Sequence, residues 1–321
     1  MGYPIRVAVI GAGALGEHHA RIYSQLEETN LVGVVDVRKE KARRVASRFG
    51  CEAYEKYQDL LGSVDAVSLV VPTRLHASIG IDFLRRGVHV LVEKPIAADA
   101  DQAKKLISSK KTTGVVLHVG HLERFNPALL AIKPLITQPR FFEAHRLGVF
   151  VSRSLDVDVV LDLMIHDLDL ILHLVPSPIE EVRAVGIPVL TSRVDIANAR
   201  LEFKNGCVAN ITASRVSQEK IRKLRFFQTT DYVSLDLHKQ EVEMHSLVDT
   251  AQGKQMSKRD VEVFSGEPLK LEIQAFVGDI RKKSESCQSL SSCSAEEGQR
   301  ALSLALQIKT TIEKKSKKIS V

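Results

Sequence analysis

The chain is predicted to be an α/β protein in two parts. Residues 1–121 should form a doubly wound parallel sheet, and residues 122–321 an α+β domain with a large, mostly antiparallel open sheet. Three observations predict this. Short β-branched runs alternate with helical periodicity as far as residue 120, and a Gly-x-Gly-x-x-Gly string follows the first of those runs. Beyond residue 120 one helical stretch gives way to a succession of longer, alternating strands. At 321 residues the chain is long for one core, and each part is large enough to be stable without staples.

In the first part, strands are expected at 5–10, 31–36, 66–71, 88–92 and 115–119, with helices at 17–26, 39–49, 75–85 and 101–109. Strand and helix in alternation imply a parallel sheet covered on both faces. In the second part a helix is expected at 159–174, then strands at 179–187, 195–203, 207–213, 224–229 and 232–237, with Asn205-Gly206 as a hairpin turn. Residues 284–294, rich in Ser and Cys, read as a surface loop between helices at 269–281 and 295–312.

Composition excludes several classes. The net charge is +6, but four of those charges belong to Lys314, Lys315, Lys317 and Lys318, where a helix end favours cations. There is no Trp and no basic stripe interleaved with aromatics, so nucleic acid is not the expected partner. Cys51, Cys207, Cys287 and Cys293 are scattered without C-x-x-C spacing, which argues against a zinc ribbon or redox pair and fits a reducing cytoplasm. No signal peptide is apparent at the start, and no apolar run approaches the ~18 residues of a membrane span.

The motifs specify chemistry. Gly11-Ala12-Gly13-Ala14-Leu15-Gly16 follows a strand and opens a helix, as a pyrophosphate-binding turn must. Asp36 ends the next strand, where an acid would bind an adenine ribose 2′-hydroxyl, and with Val37 and Arg38 it would complete the adenosine site. A carboxylate there repels a 2′-phosphate and argues for NAD, although Arg38 would soften the preference against NADP. Val71-Pro72-Thr73-Arg74-Leu75-His76 lies at the carboxyl end of a further strand. Pro72 and Thr73 would form the nicotinamide floor, with His76 pointing across the same edge; a plain loop with a helix-capping Thr explains them nearly as well. Glu93-Lys94-Pro95 places a lysine where the fourth long strand ends, a costly site for a charge unless it works on a ligand.

In Asp162-Leu163-Met164-Ile165-His166-Asp167, Asp162 and His166 are four residues apart on a helix that is otherwise largely apolar. A carboxylate beside an imidazole can take a proton near neutral pH. No complete metal-ligand set is apparent, so no metal is expected. Arg124, Arg215, Arg222, Lys223 and Arg225 lie near junctions of the second part and would either face an anionic substrate, which guanidinium groups grip in a forked geometry, or be solvated strand ends; Arg124 and Asn126 are the candidates for substrate positioning.

Taken together, Gly11-x-Gly13-x-x-Gly16, Glu93-Lys94-Pro95 and Asp162-x-x-x-His166 resemble the Gfo/Idh/MocA family of sugar and polyol oxidoreductases across nearly the whole chain. The resemblance implies NAD on the first domain, a substrate-binding and oligomerisation sheet in the second, and Lys94, Asp162 and His166 as the catalytic set. It departs from many members at Met164, where they have Gly. His121 to Pro127, the Asp-Leu-Met-Ile-His-Asp form of the helix and Ala213 to Ser217 look most like members that oxidise the 3-hydroxyl of UDP-N-acetylglucosamine on the route to amide-linked lipid A. On that reading Lys94, Asp162, His166, Arg124, Asn126 and Arg215 contact the nucleotide sugar, Glu93 joins Lys94 at the cofactor, and either His166 or Lys94 is the base. Related sugar, uronate or inositol dehydrogenases share much of the pattern. A nucleotide-sensing regulator without chemistry would show a broken catalytic set. A homodimer or homotetramer is expected.

Overall fold

The computed structural model describes residues 3–150, 157–282 and 291–319. Cys287 and most of the loop expected at 284–294 lie outside the described residues.

The chain divides into two units, Met1–Phe125 with Glu267–Gln299, and Asn126–Gly266 with Arg300–Val321. In the first, β1 (Ile5–Ile10), α1 (Ala14–Gln25), β2 (Thr29–Val35), α2 (Lys39–Phe49), β3 (Glu52–Tyr54), β4 (Ala66–Leu69), α3 (His76–Leu84), β5 (His89–Glu93), α4 (Ala100–Thr113) and β6 (Leu117–Gly120) follow in order. The strands are parallel in the order β3-β2-β1-β4-β5-β6. Of the inner strands, β4 is buried at every residue and β5 at all but its first, as a sheet with helices on both faces requires. Strand order reverses between β1 and β4, which opens a crevice at their carboxyl ends.

The second unit carries α5 (Pro127–Ile132), β7 (Phe141–Leu147), α6 (Ile165–Leu174), β8 (Ile179–Ile187), β9 (Ile196–Phe203), β10 (Val208–Ser214), β11 (Ile221–Phe227), β12 (Asp231–Asp236), β13 (Glu241–Thr250) and β14 (Gly253–Arg259). They form an eight-stranded sheet, β14-β13-β12-β11-β7-β10-β9-β8, antiparallel except where β7 meets β10. Alternation places Phe142 and Ala144 of β7, Leu224 and Phe226 of β11, and Ile211 and Ala213 of β10 on the face that buries Leu168 and Ile171 of α6. Buried Arg146 of β7 grips Asp167 of α6 through two bonds of 2.9 Å, which fixes the helix on the sheet.

A single cut at 121/122 does not describe this chain. In α7 (Pro268–Lys282), Leu269, Ile273, Phe276 and Val277 pack into the same core as Val7, Tyr23 and Val34, which returns the helix to the first unit. Helix α8 (Ala295–Ile319) follows, and Ala301, Leu304, Ala305 and Ile308 are in the core of the second unit. The expected surface loop is corrected at its described end. Ser291, Ser292 and Cys293 are buried, because the open edge of β6 recruits them: Val119 N–H donates to the Cys293 carbonyl at 2.9 Å and the Ser292 hydroxyl to Asp279 at 3.0 Å. Among the described residues no helix is long and apolar enough to cross a membrane, and Cys51, Cys207 and Cys293 are free thiols.

Candidate active site

The carboxyl edge of the first sheet is shaped by the glycine turn. Gly11 has φ +113°, and a Cβ on it would overlap the Val70 carbonyl; one on Gly16 would overlap the Gly11 carbonyl. A Cβ on Gly13 would meet nothing within 4 Å, so the turn is open at the position a diphosphate must approach. Helix α1 starts at Ala14 with Leu15 and Gly16 in its first turn, and no side chain caps it, so its amino end is available to an anion.

Asp36 follows β2. Its carboxylate accepts from Ala12 N–H at 3.0 Å and Arg38 N–H at 2.9 Å, which ties the glycine turn to the end of β2. Val37 is 87% exposed and the Arg38 side chain is turned outward. A cavity of about 580 Å³ opens here, lined by Gly11, Gly13, Asp36, Val37, Arg38, Pro72 and neighbouring residues. An apolar slot with a carboxylate at one side and bare backbone at the other fits the adenosine and pyrophosphate of a dinucleotide. Thr73 begins a short 3₁₀ turn, Thr73–Leu75, and caps no helix. Lys94, next after β5, is half-buried at the same edge of the sheet.

Two expected cofactor residues turn inward instead. The His76 ring is 1% exposed and lies between the Val71 and Pro95 carbonyls, and the Glu93 carboxylate is 3.2 Å from His19 Nε2. Burial lowers the His76 pKa from its usual value, against the pull of the Val71 and Pro95 carbonyls and the Glu93 charge.

In the second unit Asp162 lies in a π-helical turn, Val160–Met164, that leads into α6, where His166 is the second residue. The regular α-helix expected at 159–174 is thus widened in its first turn, at Met164. Such π turns occur frequently at functional sites. Both side chains are partly exposed, while Met164, Ile165, Asp167 and Leu168 are buried around them. Asp158 starts the segment by accepting from Val160 and Leu161 N–H at 3.1 Å each, and Lys309 sits 3.3 Å from its other oxygen.

Arg124, Asn126 and Arg215, expected to grip substrate, each have partners inside the protein. Arg124 is 2% exposed and donates to Glu297 at 3.0 Å and to the Ser292 carbonyl at 3.3 Å. The Asn126 side chain caps α5 by accepting from Ala128 N–H at 3.1 Å, and donates to the Leu237 carbonyl at 2.8 Å. Buried Arg215 donates to Asp195 at 2.8 Å and to the Val157 carbonyl at 2.7 Å. All three are internal braces, because a buried cation or amide must find partners within the protein. Sequence reasoning missed His19, Ser68 and Tyr23; His19, Ala20 and Tyr23 on the buried face of α1 were the available signal.

Residues 5–121 match the family described as an oxidoreductase family with an NAD-binding Rossmann fold, and residues 101–232 match the Gfo/Idh/MocA carboxy-terminal domain. The UDP-N-acetylglucosamine 3-dehydrogenase of Acidithiobacillus ferrooxidans is 37% identical over 312 residues, 96% of this chain and 97% of that protein. The chain belongs to the Gfo/Idh/MocA oxidoreductase family. Another relative, the scyllo-inositol 2-dehydrogenase (NAD(+)) of Bacillus subtilis, is 29% identical over 248 residues, 68% of this chain and 69% of its own. A solved structure of the Acidithiobacillus ferrooxidans enzyme superposes with a TM-score of 0.87 at 36% identity, covering 98% of this chain and 99% of that one. For this Gfo/Idh/MocA member the cofactor is therefore NAD, as the glycine turn and Asp36 imply.

Asp36 provides a direct check. Asp36→Ala removes the anchor of Ala12 and the carboxylate expected to accept from the ribose, so affinity for NADH should fall roughly 10- to 100-fold, the worth of one or two charge-assisted hydrogen bonds. NADPH should lose far less. Titrating nicotinamide fluorescence with both cofactors measures the ratio, and an unchanged preference would remove Asp36 from the site.

Proposed function

We propose that this protein oxidises the 3-hydroxyl of a UDP-N-acetylhexosamine, most simply UDP-N-acetylglucosamine, to the ketone, on the way to a 3-amino sugar for lipid A. The observation that carries this reading is likeness over the whole length, both domains included, to a UDP-N-acetylglucosamine 3-dehydrogenase. The inositol dehydrogenase cited above is similar over a shorter part of the chain.

Gly11 to Gly16 and Asp36 hold the cofactor, with Pro72 and Thr73 lining its nicotinamide side. NAD, when bound, supplies the hydride acceptor. His166 removes the proton of the reacting hydroxyl, and Asp162 orients the imidazole and offsets its charge. Lys94 stabilises the alkoxide as it develops. Arg124 braces the first unit from within, and Asn126 and Arg215 brace the second. Association into a homodimer or homotetramer would use the outer face of the large sheet, where Phe227 is 42% exposed beside Phe141 and Tyr232.

Incubating the purified protein with NAD and UDP-N-acetylglucosamine should generate NADH absorbance and a 3-keto sugar detectable by mass spectrometry. Turnover of an inositol or a free sugar, with none of the nucleotide sugar, would replace this substrate; cofactor binding with no turnover on any of them would indicate a sensor.

A further inference from the structure

Lys94 has a buried imidazole behind each of its chain neighbours. On one side Glu93, the last residue of β5, turns its carboxylate inward to His19 Nε2. The His19 ring is fixed in turn. Its Nδ1 lies 3.0 Å from the Ser68 hydroxyl, which lies 2.9 Å from the Tyr23 hydroxyl. One placement of protons satisfies the whole chain: Tyr23 donates to Ser68, Ser68 to His19 Nδ1, and His19 Nε2–H to Glu93. His19, Ser68 and Tyr23 are 0% exposed, so water does not compete for any of these bonds.

On the other side stands Pro95. A proline has no N–H, so its carbonyl is its one polar backbone group. That carbonyl lies 3.0 Å from His76 Nδ1, while His76 Nε2 lies 2.9 Å from the Val71 carbonyl. Val71 opens the loop that holds Pro72 and Thr73. One ring therefore joins the loop after β4 to the turn after β5. Two carbonyl acceptors at these distances need a hydrogen on both ring nitrogens, so the ring bridges both segments as the imidazolium, a form that burial disfavours and the two carbonyls and the Glu93 charge favour. Neither His19 nor His76 lines the nucleotide cavity.

We propose that His19 and His76 are positioning residues that hold Lys94 in place, His19 through Glu93 and His76 through Pro95. The inference rests on the reading of Lys94 as catalytic. A reacting group displaced by about 1 Å loses roughly 10²-fold in rate, so a ring that touches neither substrate nor cofactor still controls turnover.

The test compares His76→Phe and His19→Phe, which keep a flat ring and remove both nitrogens, with His76→Gln and His19→Gln, which keep a hydrogen-bonding group. Lys94→Ala is the control. Expected for His76→Phe is a kcat lower by roughly 10- to 100-fold with the NADH Kd within about threefold, and faster amide hydrogen exchange in peptides covering 93–97. His76→Gln should recover part of the rate that His76→Phe loses, and His19→Gln part of the rate that His19→Phe loses. A folded His76→Phe with kcat within about twofold and unchanged exchange overturns the proposal. So does a loss of kcat matched by an equal loss of NADH binding, which is what a purely structural role produces. If His76→Phe does not fold, the smaller His76→Leu, which also lacks both nitrogens, carries the same comparison. If Lys94→Ala itself keeps full turnover, the catalytic reading fails, and exchange over 93–97 decides whether the rings hold the segment.

Discussion

Replacing Lys94 with alanine should lower turnover of the nucleotide sugar roughly 10²- to 10⁴-fold while NADH binds almost as before. The lysine follows β5 directly, at the carboxyl edge of the parallel sheet, and is half-buried there. A charge in that place has a far greater effect on a developing alkoxide than it has in water. The dinucleotide cavity is lined by the glycine turn, Asp36 and Pro72 rather than by this side chain, so binding and chemistry should separate. Lys94→Met, which keeps the length of the chain without the ammonium, should be as slow as Lys94→Ala. His166→Ala should fall in the same range, because it removes the proposed proton acceptor. Steady-state kcat beside NADH fluorescence titration measures both effects. If Lys94→Ala and His166→Ala both kept near-normal turnover, this catalytic set would be wrong.

The second large effect is on stability. Asp195→Ala should cost about 3–5 kcal/mol, the usual penalty for removing one partner of a buried ion pair. Asp195 is 0% exposed and accepts from Val189, Leu190 and Thr191 N–H, the Thr191 hydroxyl and Arg215 Nε, all at 2.7–2.8 Å. Truncation leaves three backbone donors and the Arg215 guanidinium without their shared acceptor. Burial alone would raise the Asp195 pKa, but the Val189 and Thr191 donors and Arg215 overcome it and hold the carboxyl well below the usual carboxylate range. A carboxyl depressed in the folded state contributes stability that is present above its unfolded pKa, about 3.9, and is lost as pH falls from there toward the folded value. Asp195→Asn should therefore flatten the acid limb of the stability curve below about pH 4. Urea unfolding from pH 7 to pH 3 measures this, and a variant with the wild-type slope would show that Asp195 is not a source of the acid sensitivity.

Elements with a clear hydrophobic period were legible. β1, α2 and β8 match the expected boundaries at both ends. β14 was invisible because all seven of its residues are exposed, so no burial alternates along it. β7 alternates well enough, yet its place at the centre of the second sheet, parallel to β10 and antiparallel to β11, depends on partners more than 60 residues away in the chain. The π turn at Asp162 was likewise beyond a periodicity argument that assumes regular helix.

Within the candidate site, the sequence by itself determined the backbone features. Gly11, Gly13 and Gly16 are required where side chains would collide with carbonyls or block a phosphate, and the carboxyl ends of parallel strands place Asp36 and Lys94 near that turn. Only the tertiary structure decided which polar side chains face inward. His19 meets Glu93 across 74 residues, Arg124 meets Glu297 across 173, and Arg215 meets Asp195 across 20. A lone arginine or histidine reads the same in sequence whether it awaits a ligand or braces a core. The cost of burying it unpaired means its partner decides its role, and folding brings that partner from elsewhere in the chain.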